Sequence, residues 1–157
     1  YGFNFNASYK NFDFSMFWQG QGGNKVFNGM YAALMQGNIL NHHRDELNYW
    51  TPDNTNTNVP RPTFTDINQN NRESTRFIQK GDYLRLQNLQ LGYNVPMENN
   101  KFIEKVRLFA QGSNLLTITP YKGMDPDFMN DGFLSRGFDG GSFPNPRTFS
   151  FGIEATF

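Results

Sequence analysis

Arg147-Thr-Phe-Ser-Phe-Gly-Ile-Glu-Ala-Thr-Phe157 closes the chain. Phe149, Phe151, Ile153, Ala155 and Phe157 share one parity, and Thr148, Ser150, Gly152, Glu154 and Thr156 share the other. A period of two is that of a β-strand with one apolar and one polar face. Terminal residues of a soluble domain fray unless something ties them down. A strand of about ten residues with an unbroken apolar face and an aromatic at its end is what a transmembrane β-barrel uses.

Working outward, four more segments alternate in the same way. Residues 1–10 put Tyr1, Phe3, Phe5, Ala7 and Tyr9 on one face and Gly2, Asn4, Asn6 and Ser8 on the other. A short turn at Lys10-Asn11 leads into residues 11–19, where Phe12, Phe14, Met16 and Trp18 alternate with Asp13, Ser15, Phe17 and Gln19. Two alternating runs so closely joined predict a hairpin. In residues 76–95, Leu89, Leu91, Tyr93 and Val95 oppose Gln90, Gly92 and Asn94, but Leu84 and Leu86 fall on the other parity. Either a β-bulge near Gln87-Asn88 restores them, or this half rises beyond the bilayer, where parity matters less. A turn over 96–101 precedes residues 102–118, which oppose Val106, Leu108 and Ala110 to Arg107, Phe109 and Gln111. Residues 147–157 are the fifth strand.

The connections alternate as well: a short one, the long loop 20–75, a short one, then the long loop 119–146. Outer-membrane barrels have short periplasmic turns and long extracellular loops. On that pattern the C-terminus is periplasmic. Within the first long loop, residues 26–36 and 42–50 suit short helices separated by Gly37-Asn38. Residues 51–62, with three prolines among Asn and Thr, break helices and are expected to pack against other loops or a partner.

Composition narrows the classes. The 157 residues suffice for one domain. Net charge is zero and charged residues are only 18%, which argues against nucleic acid as a partner, since phosphate binding needs a basic surplus. Aromatics reach 17% while mean hydropathy is −0.67, as expected of strands with rings on one face joined by Asn-rich loops. The absence of cysteine removes disulfides, Cys-based zinc sites and a Cys nucleophile. No apolar run approaches the ~18 residues of a membrane helix, so any passage through a bilayer must be as a closed barrel. The chain starts inside an alternating run, Tyr1-Gly-Phe-Asn-Phe5, without Met or a signal segment. We read it as the C-terminal part of a longer protein. The fold expected is all-β: the last strands of a large antiparallel transmembrane barrel with long extracellular loops. A soluble carbohydrate-binding β-sandwich and a non-transport outer-membrane barrel are the alternatives.

Several stretches together resemble the SusC/RagA family of TonB-dependent outer-membrane transporters of Bacteroidetes, in its C-terminal barrel region. They are Gly23-Asn-Lys-Val-Phe-Asn28, Tyr49-Trp-Thr-Pro-Asp-Asn54 with Val59-Pro-Arg61, Arg76-Phe-Ile78, Asp82-Tyr-Leu-Arg-Leu-Gln-Asn-Leu-Gln-Leu-Gly-Tyr93, Ala110-Gln-Gly-Ser-Asn-Leu-Leu-Thr-Ile-Thr119, Tyr121-Lys-Gly-Met-Asp-Pro-Asp127 and Phe143-Pro-Asn-Pro-Arg-Thr-Phe-Ser-Phe-Gly152. Their order and spacing cover almost the whole chain. The resemblance implies a barrel of about 22 strands with an internal plug. It also implies a SusD-like surface lipoprotein as a lid, TonB engaged through an N-terminal region absent here, and import of glycans or peptides. The localisation it implies is the outer membrane of a Gram-negative, Bacteroidetes-type bacterium. No enzymatic activity and no cofactor are expected.

The candidate residues follow from their places. Tyr49, Trp50, Tyr121 and Phe143 lie in or beside the long loops, where rings contact substrate or lid, or pack the loops. Arg85, Arg107, Gln111 and Glu154 are the candidate lumen-side polar residues, where a path or a plug contact would lie. Arg107 and Glu154 would form a cross-strand ion pair if their strands are neighbours. Phe151, Ile153 and Phe157 fit the terminal aromatic strand read by the barrel-assembly machinery, and the apolar parity faces outer-membrane lipid. Asp125, Asp127, Asp131 and Asp139 carry no EF-hand spacing, so calcium is not supported here; Asp125-Pro126 suits an Asx turn. Adjacent His42 and His43 lack the i, i+4 spacing of a zinc pair.

Overall fold

In the computed structural model, which describes residues 1–36, 41–97, 102–128 and 136–157, the chain forms two compact units. The first comprises residues 1–23, 82–120 and 145–157, and the second 24–81 and 121–144.

The first unit is one antiparallel sheet. Its strands are β1 (Gly2–Tyr9), β2 (Phe12–Gln21), β5 (Tyr83–Val95), β6 (Lys105–Ile118) and β8 (Thr148–Thr156), paired in that order. Register carries the alternation of each strand across to the next. Ala7 faces Phe14, Phe14 faces Leu91, Leu91 faces Ala110 and Ala110 faces Phe151. One row lower run Tyr9, Phe12, Tyr93, Leu108 and Ile153. A single apolar face therefore crosses all five strands, and its side chains stay open: Phe151 is 82% and Ile153 74% exposed. A sandwich would cover these residues with a second sheet.

The parity break in the third segment is a bulge. Trp18 and Leu116 both face Leu86, while Phe17 and Ser113 face Asn88, so Gln87 is the extra residue. The bulge returns Leu84 and Leu86 to the apolar face. On β6 the irregularity is absorbed at Asn114, whose φ of 54° is left-handed and suits asparagine. The hairpin turn likewise puts Lys10 at φ 53°. Both long connections leave the sheet from the same end, since Gln21 pairs with Tyr83 and Leu84 with Ile118.

The segment expected as one strand over 76–95 is two. Thr75–Phe77 is a 3-10 turn, β4 (Ile78–Lys80) belongs to the second unit, and β5 begins only after Gly81-Asp82. Phe77 is the reason: its side chain is wholly buried in the second unit, against Phe27 and Tyr31.

In that second unit β3 (Lys25–Asn28) pairs with β4 antiparallel and with β7 (Phe138–Asp139) parallel. Of the two expected helices, residues 26–36 give β3 and then the short helix α1 (Gly29–Leu34), and 42–50 give a 3-10 turn at Arg44–Asn48. Asn28 starts α1 by accepting from the Tyr31 N–H at 2.8 Å. The Gly37-Asn38 break falls outside the described residues. Among those residues no helix is long and apolar enough to cross a membrane.

Candidate functional site

On the polar face of the sheet the alternation delivers Asp13 from β2, Arg107 from β6 and Glu154 from β8. Arg107 donates to both carboxylate oxygens of Asp13, from Nε at 3.1 Å and from Nη2 at 2.6 Å, and through Nη1 to Glu154 at 3.2 Å. The pair to Glu154 is the cross-strand pair expected from sequence, set by direct register. The pair to Asp13 is not cross-strand in the ordinary sense, because β5 lies between β2 and β6. Gly92 makes it feasible. A Cβ there would lie 2.4 Å from the Asp13 carboxylate and 2.7 Å from Arg107 Nη2. A missing side chain on the intervening strand thus opens the track along which the two charges meet. Glycine serves similarly at Gly152, where a Cβ would come within 2.3 Å of the Phe109 ring.

The other interior candidates lie on the same face. Arg85 is buried, its Nε donating to Thr117 Oγ1 at 3.1 Å and its guanidinium 5.4 Å from the Tyr83 ring. Gln111 stands half-buried between Gln90 and Ser150. Phe151 and Ile153 occupy the opposite, apolar face, and Phe157 is exposed just past the end of β8.

The second unit carries a separate set. Asp45, in the 3-10 turn at Arg44–Asn48, accepts at one oxygen from both Lys122 Nζ and the Tyr31 hydroxyl, the latter at 3.0 Å. Lys122 holds the Asp45 carboxyl below its ordinary range, and the Tyr31 hydroxyl adds to this. Burial, with Asp45 beside it, pushes the Tyr31 phenol up to about 12. The His43 ring sits edge-on to Tyr31, centroids 4.8 Å apart.

A cleft of about 430 Å³ opens over this group, walled on its far side by Asn48 and the stretch 56–59. That wall belongs to the stretch expected to pack against other loops or a partner, and side-chain hydrogen bonds tie it to the neighbouring Asn48-Tyr49 segment. Asn54 Nδ2 donates to Asn48 Oδ1 at 3.0 Å and to the Tyr49 carbonyl at 2.9 Å; the Thr57 hydroxyl donates to the Asn48 carbonyl at 2.5 Å and accepts from the Val59 N–H. Tyr31 and Lys122 also line a second, more apolar cavity of about 230 Å³ with Met30, Leu34 and Met124.

Of the four loop aromatics, Tyr49 and Trp50 are partly exposed and do not line the cleft, and Phe143 is 96% exposed. Tyr121 is 6% exposed, and its hydroxyl donates to Asp139, which also caps the Gly141 N–H at 2.8 Å. Its ring packs the loop and is not offered to a ligand. Burial and Asp139 push its phenol well up. Asp125 makes the Asx turn, accepting from the Asp127 N–H at 2.9 Å; Asp131 lies outside the described residues. His42 pairs with Glu46, and among the described residues no group of three His, Cys, Asp or Glu is placed to hold a metal.

Sequence reasoning missed Asp13, Gly92, Tyr31, Asp45 and Lys122. Asp13 and Arg107 are 94 residues apart, and only the full register brings them together. A glycine on the polar parity of a strand was the one local signal.

No family model matches the sequence. Among curated proteins, "TonB-dependent receptor P3" of Formosa agariphila is 40% identical over 99% of this chain, and "TonB-dependent receptor SusC" of Bacteroides thetaiotaomicron is 26% identical over 95%. Among solved structures, that of the RagAB peptide transporter superposes with a TM-score of 0.79 and 29% identity, covering 99% of this chain. The chain spans only 16% and 14% of those two curated relatives and 17% of the RagAB chain. These relatives are receptors and transporters, not enzymes. With five strands in one open sheet, an unbroken apolar face and these relatives along almost its whole length, the chain is a piece of a large outer-membrane β-barrel and belongs to the SusC/RagA family of TonB-dependent receptors.

Proposed function

We propose that the chain is the C-terminal barrel segment of an energised importer of glycans or peptides. The observation that carries this reading is the two-faced sheet. One face is apolar across all five strands and suits lipid; the other holds the Asp13–Arg107–Glu154 network and suits a plugged lumen. On this reading Arg85, Arg107, Gln111 and Glu154 meet the plug or line a path beside it. β8 is the closing strand, its end periplasmic, and Phe151, Ile153 and Phe157 form the signal taken by the barrel-assembly machinery. Residues 24–81 and 121–144 then stand outside the cell, where Tyr49, Trp50 and Phe143 meet substrate or a SusD-like lipoprotein lid. TonB acts through a region outside this chain. Exposed large rings in that unit support such a contact, since aromatics are enriched at interfaces.

The test is uptake by cells carrying the complete receptor. Growth on a panel of oligosaccharides and peptides is expected to fall when the receptor, TonB or the adjacent lipoprotein is deleted singly. Unchanged growth on every substrate after deletion of TonB would overturn the importer reading.

A further inference from the structure

The apolar face of the five-stranded sheet changes character along its strands. Its tyrosines and tryptophan, Tyr1, Tyr9, Trp18 and Tyr93, stand at strand ends or one side-chain step inside them, and only apolar residues lie between. Rings with a polar tip settle where hydrocarbon meets water. On the two edge strands the aromatic ends are equally far apart. Tyr1 and Tyr9 bracket β1 and Phe149 and Phe157 bracket β8, eight residues apart in both.

These two windows are not level in the sheet. Tyr9 shares a register row with Ile153, through Phe12, Tyr93 and Leu108, and Phe157 lies four residues beyond Ile153. At the opposite end Phe149 shares a row with Phe5, and Tyr1 lies four residues beyond Phe5. Both boundaries therefore step by four residues over the four spacings from β1 to β8, and in the same direction. Strands that cross a flat layer at a tilt produce this step. Four residues span about 13 Å and four strand spacings about 19 Å, which gives a tilt of about 35°, as in membrane barrels. At that tilt the window of eight residues is about 22 Å tall, close to the ~25 Å apolar band of such barrels.

The step also has a handedness. Tyr1 and Gly20 exchange both backbone hydrogen bonds, each 2.9 Å. With β2 running upward and the apolar face toward the viewer, L-residues then place β1 to the right of β2. Right-handed twist makes the strands of a barrel, seen from outside, rise to the right. A level line must then meet β8 nearer Phe157 than the register row does. The observed step has that sense, which requires the apolar side to be the outer one.

We propose that Tyr1, Trp18 and Phe149 mark one boundary of the lipid hydrocarbon and Tyr9, Phe12 and Phe157 the other, along lines inclined by about 35° to the register rows. The inference rests on the barrel reading of the sheet and adds where on each strand lipid begins and ends. Phe5 and Ile153 then share the mid-plane, although they lie on different rows. Leu84 and Ile118, on the row of Tyr1, stand beyond the hydrocarbon among the headgroups, although both are apolar. The bulge returns Leu84 to the apolar face, and the tilt carries it past the bilayer.

The test places a nitroxide on single cysteines in the complete receptor, freed of other cysteines and reconstituted into phospholipid vesicles. Collision with oxygen, which concentrates in hydrocarbon, is compared with collision with a nickel chelate, which stays in water. Phe5→Cys and Ile153→Cys are expected to share the highest oxygen-to-nickel ratio. Tyr9→Cys and Phe149→Cys should share a ratio several-fold lower, and Ile118→Cys the lowest. Phe3→Cys and Phe151→Cys, each two residues from its mid-plane position, repeat the comparison where a mid-plane label blocks insertion, and their ratios should agree. Ratios that match along rows, Phe5 with Phe149 and Tyr9 with Ile153, would overturn the proposed boundaries while leaving the face in lipid. Free nickel access at every position would overturn the barrel reading together with the proposal.

Discussion

Ile153 concentrates the residue-scale argument. It stands on the apolar face opposite Leu108, three-quarters exposed, next to residues of the same kind. In water such exposure is a liability; in hydrocarbon it is the preferred state. Ile153→Arg is therefore expected to destabilise the complete receptor in lipid by about 2–4 kcal/mol, while Ser150→Arg, on the polar face of the same strand, should cost far less. Denaturant unfolding in vesicles measures both, and equal costs would remove lipid from that face. Tyr31 makes a different prediction. Its phenol is pushed up to about 12, so the folded state favours the protonated form. Its contribution to stability is complete below the ordinary phenol value near ~10 and is lost as pH rises through about 12. Subtracting the ultraviolet titration of Tyr31→Phe from that of the parent should leave a tyrosinate step above pH ~11; a step near ~10 would mean that neither burial nor Asp45 acts on it. Asp45 runs the other way, its pairing kept at neutral pH and lost only as pH falls below the ordinary carboxylate range.

At the scale of elements, β5 is where local pattern and long-range register meet. Its bulge was readable because Leu84 and Leu86 had to rejoin Leu89 and Leu91 on one face, and a half-exposed strand writes that demand into parity. The pairing of β1 with β2 was readable from their short connection, whereas the Arg107–Glu154 pair was expected only on the condition that β6 and β8 are neighbours, which they are. The detachment of β4 from β5 was not, since it depends on Phe77 being drawn into a core assembled from Phe27 and Tyr31, some 50 residues earlier. Nor was the parallel pairing of β3 with β7, which no turn signals. The Asp13–Arg107 pair escaped because it spans three strands. It gives the strongest element-scale test. Asp13→Asn should lower stability by about 1 kcal/mol and Glu154→Gln, more solvated, by less. Gly92→Ala should resemble Asp13→Asn, because its Cβ occupies the track and the flexible ends of Asp13 and Arg107 must move aside. Combining Gly92→Ala with Asp13→Asn should then cost little more than either alone. Strict additivity in unfolding measurements would mean that Gly92 acts through something other than the pair. At Asn114, where φ is positive, Asn114→Val should destabilise more than Asn114→Gly, which loses only the 3.0 Å bond to the Pro146 carbonyl.

At the scale of the molecule, the two units make opposite demands on solvent. The second has an interior: Val26, Met35, Phe77 and Tyr121 are buried, and polar loops cover them. Among the described residues of the first, Tyr83 is the one large apolar side chain that is buried. The first unit is a single sheet whose apolar side lies open, and among the described residues β1 and β8 each have one neighbour. An unpaired strand edge exposes N–H and carbonyl groups, and an apolar face of this extent is a site of association. In a complete barrel both problems vanish together: further strands close the edges and lipid covers the face. The 157 residues expressed alone should therefore self-associate in aqueous buffer and become dispersed and strand-rich only in detergent. The variant carrying Phe149→Ser, Phe151→Ser and Ile153→Ser should need less detergent, because it removes three strongly exposed apolar side chains of that face while leaving the hydrogen-bonded register intact. Circular dichroism with light scattering across a detergent series reads both changes. A chain that is monomeric and strand-rich without detergent would show that the apolar face finds cover within the chain itself, and the barrel interpretation of the sheet would fall with it.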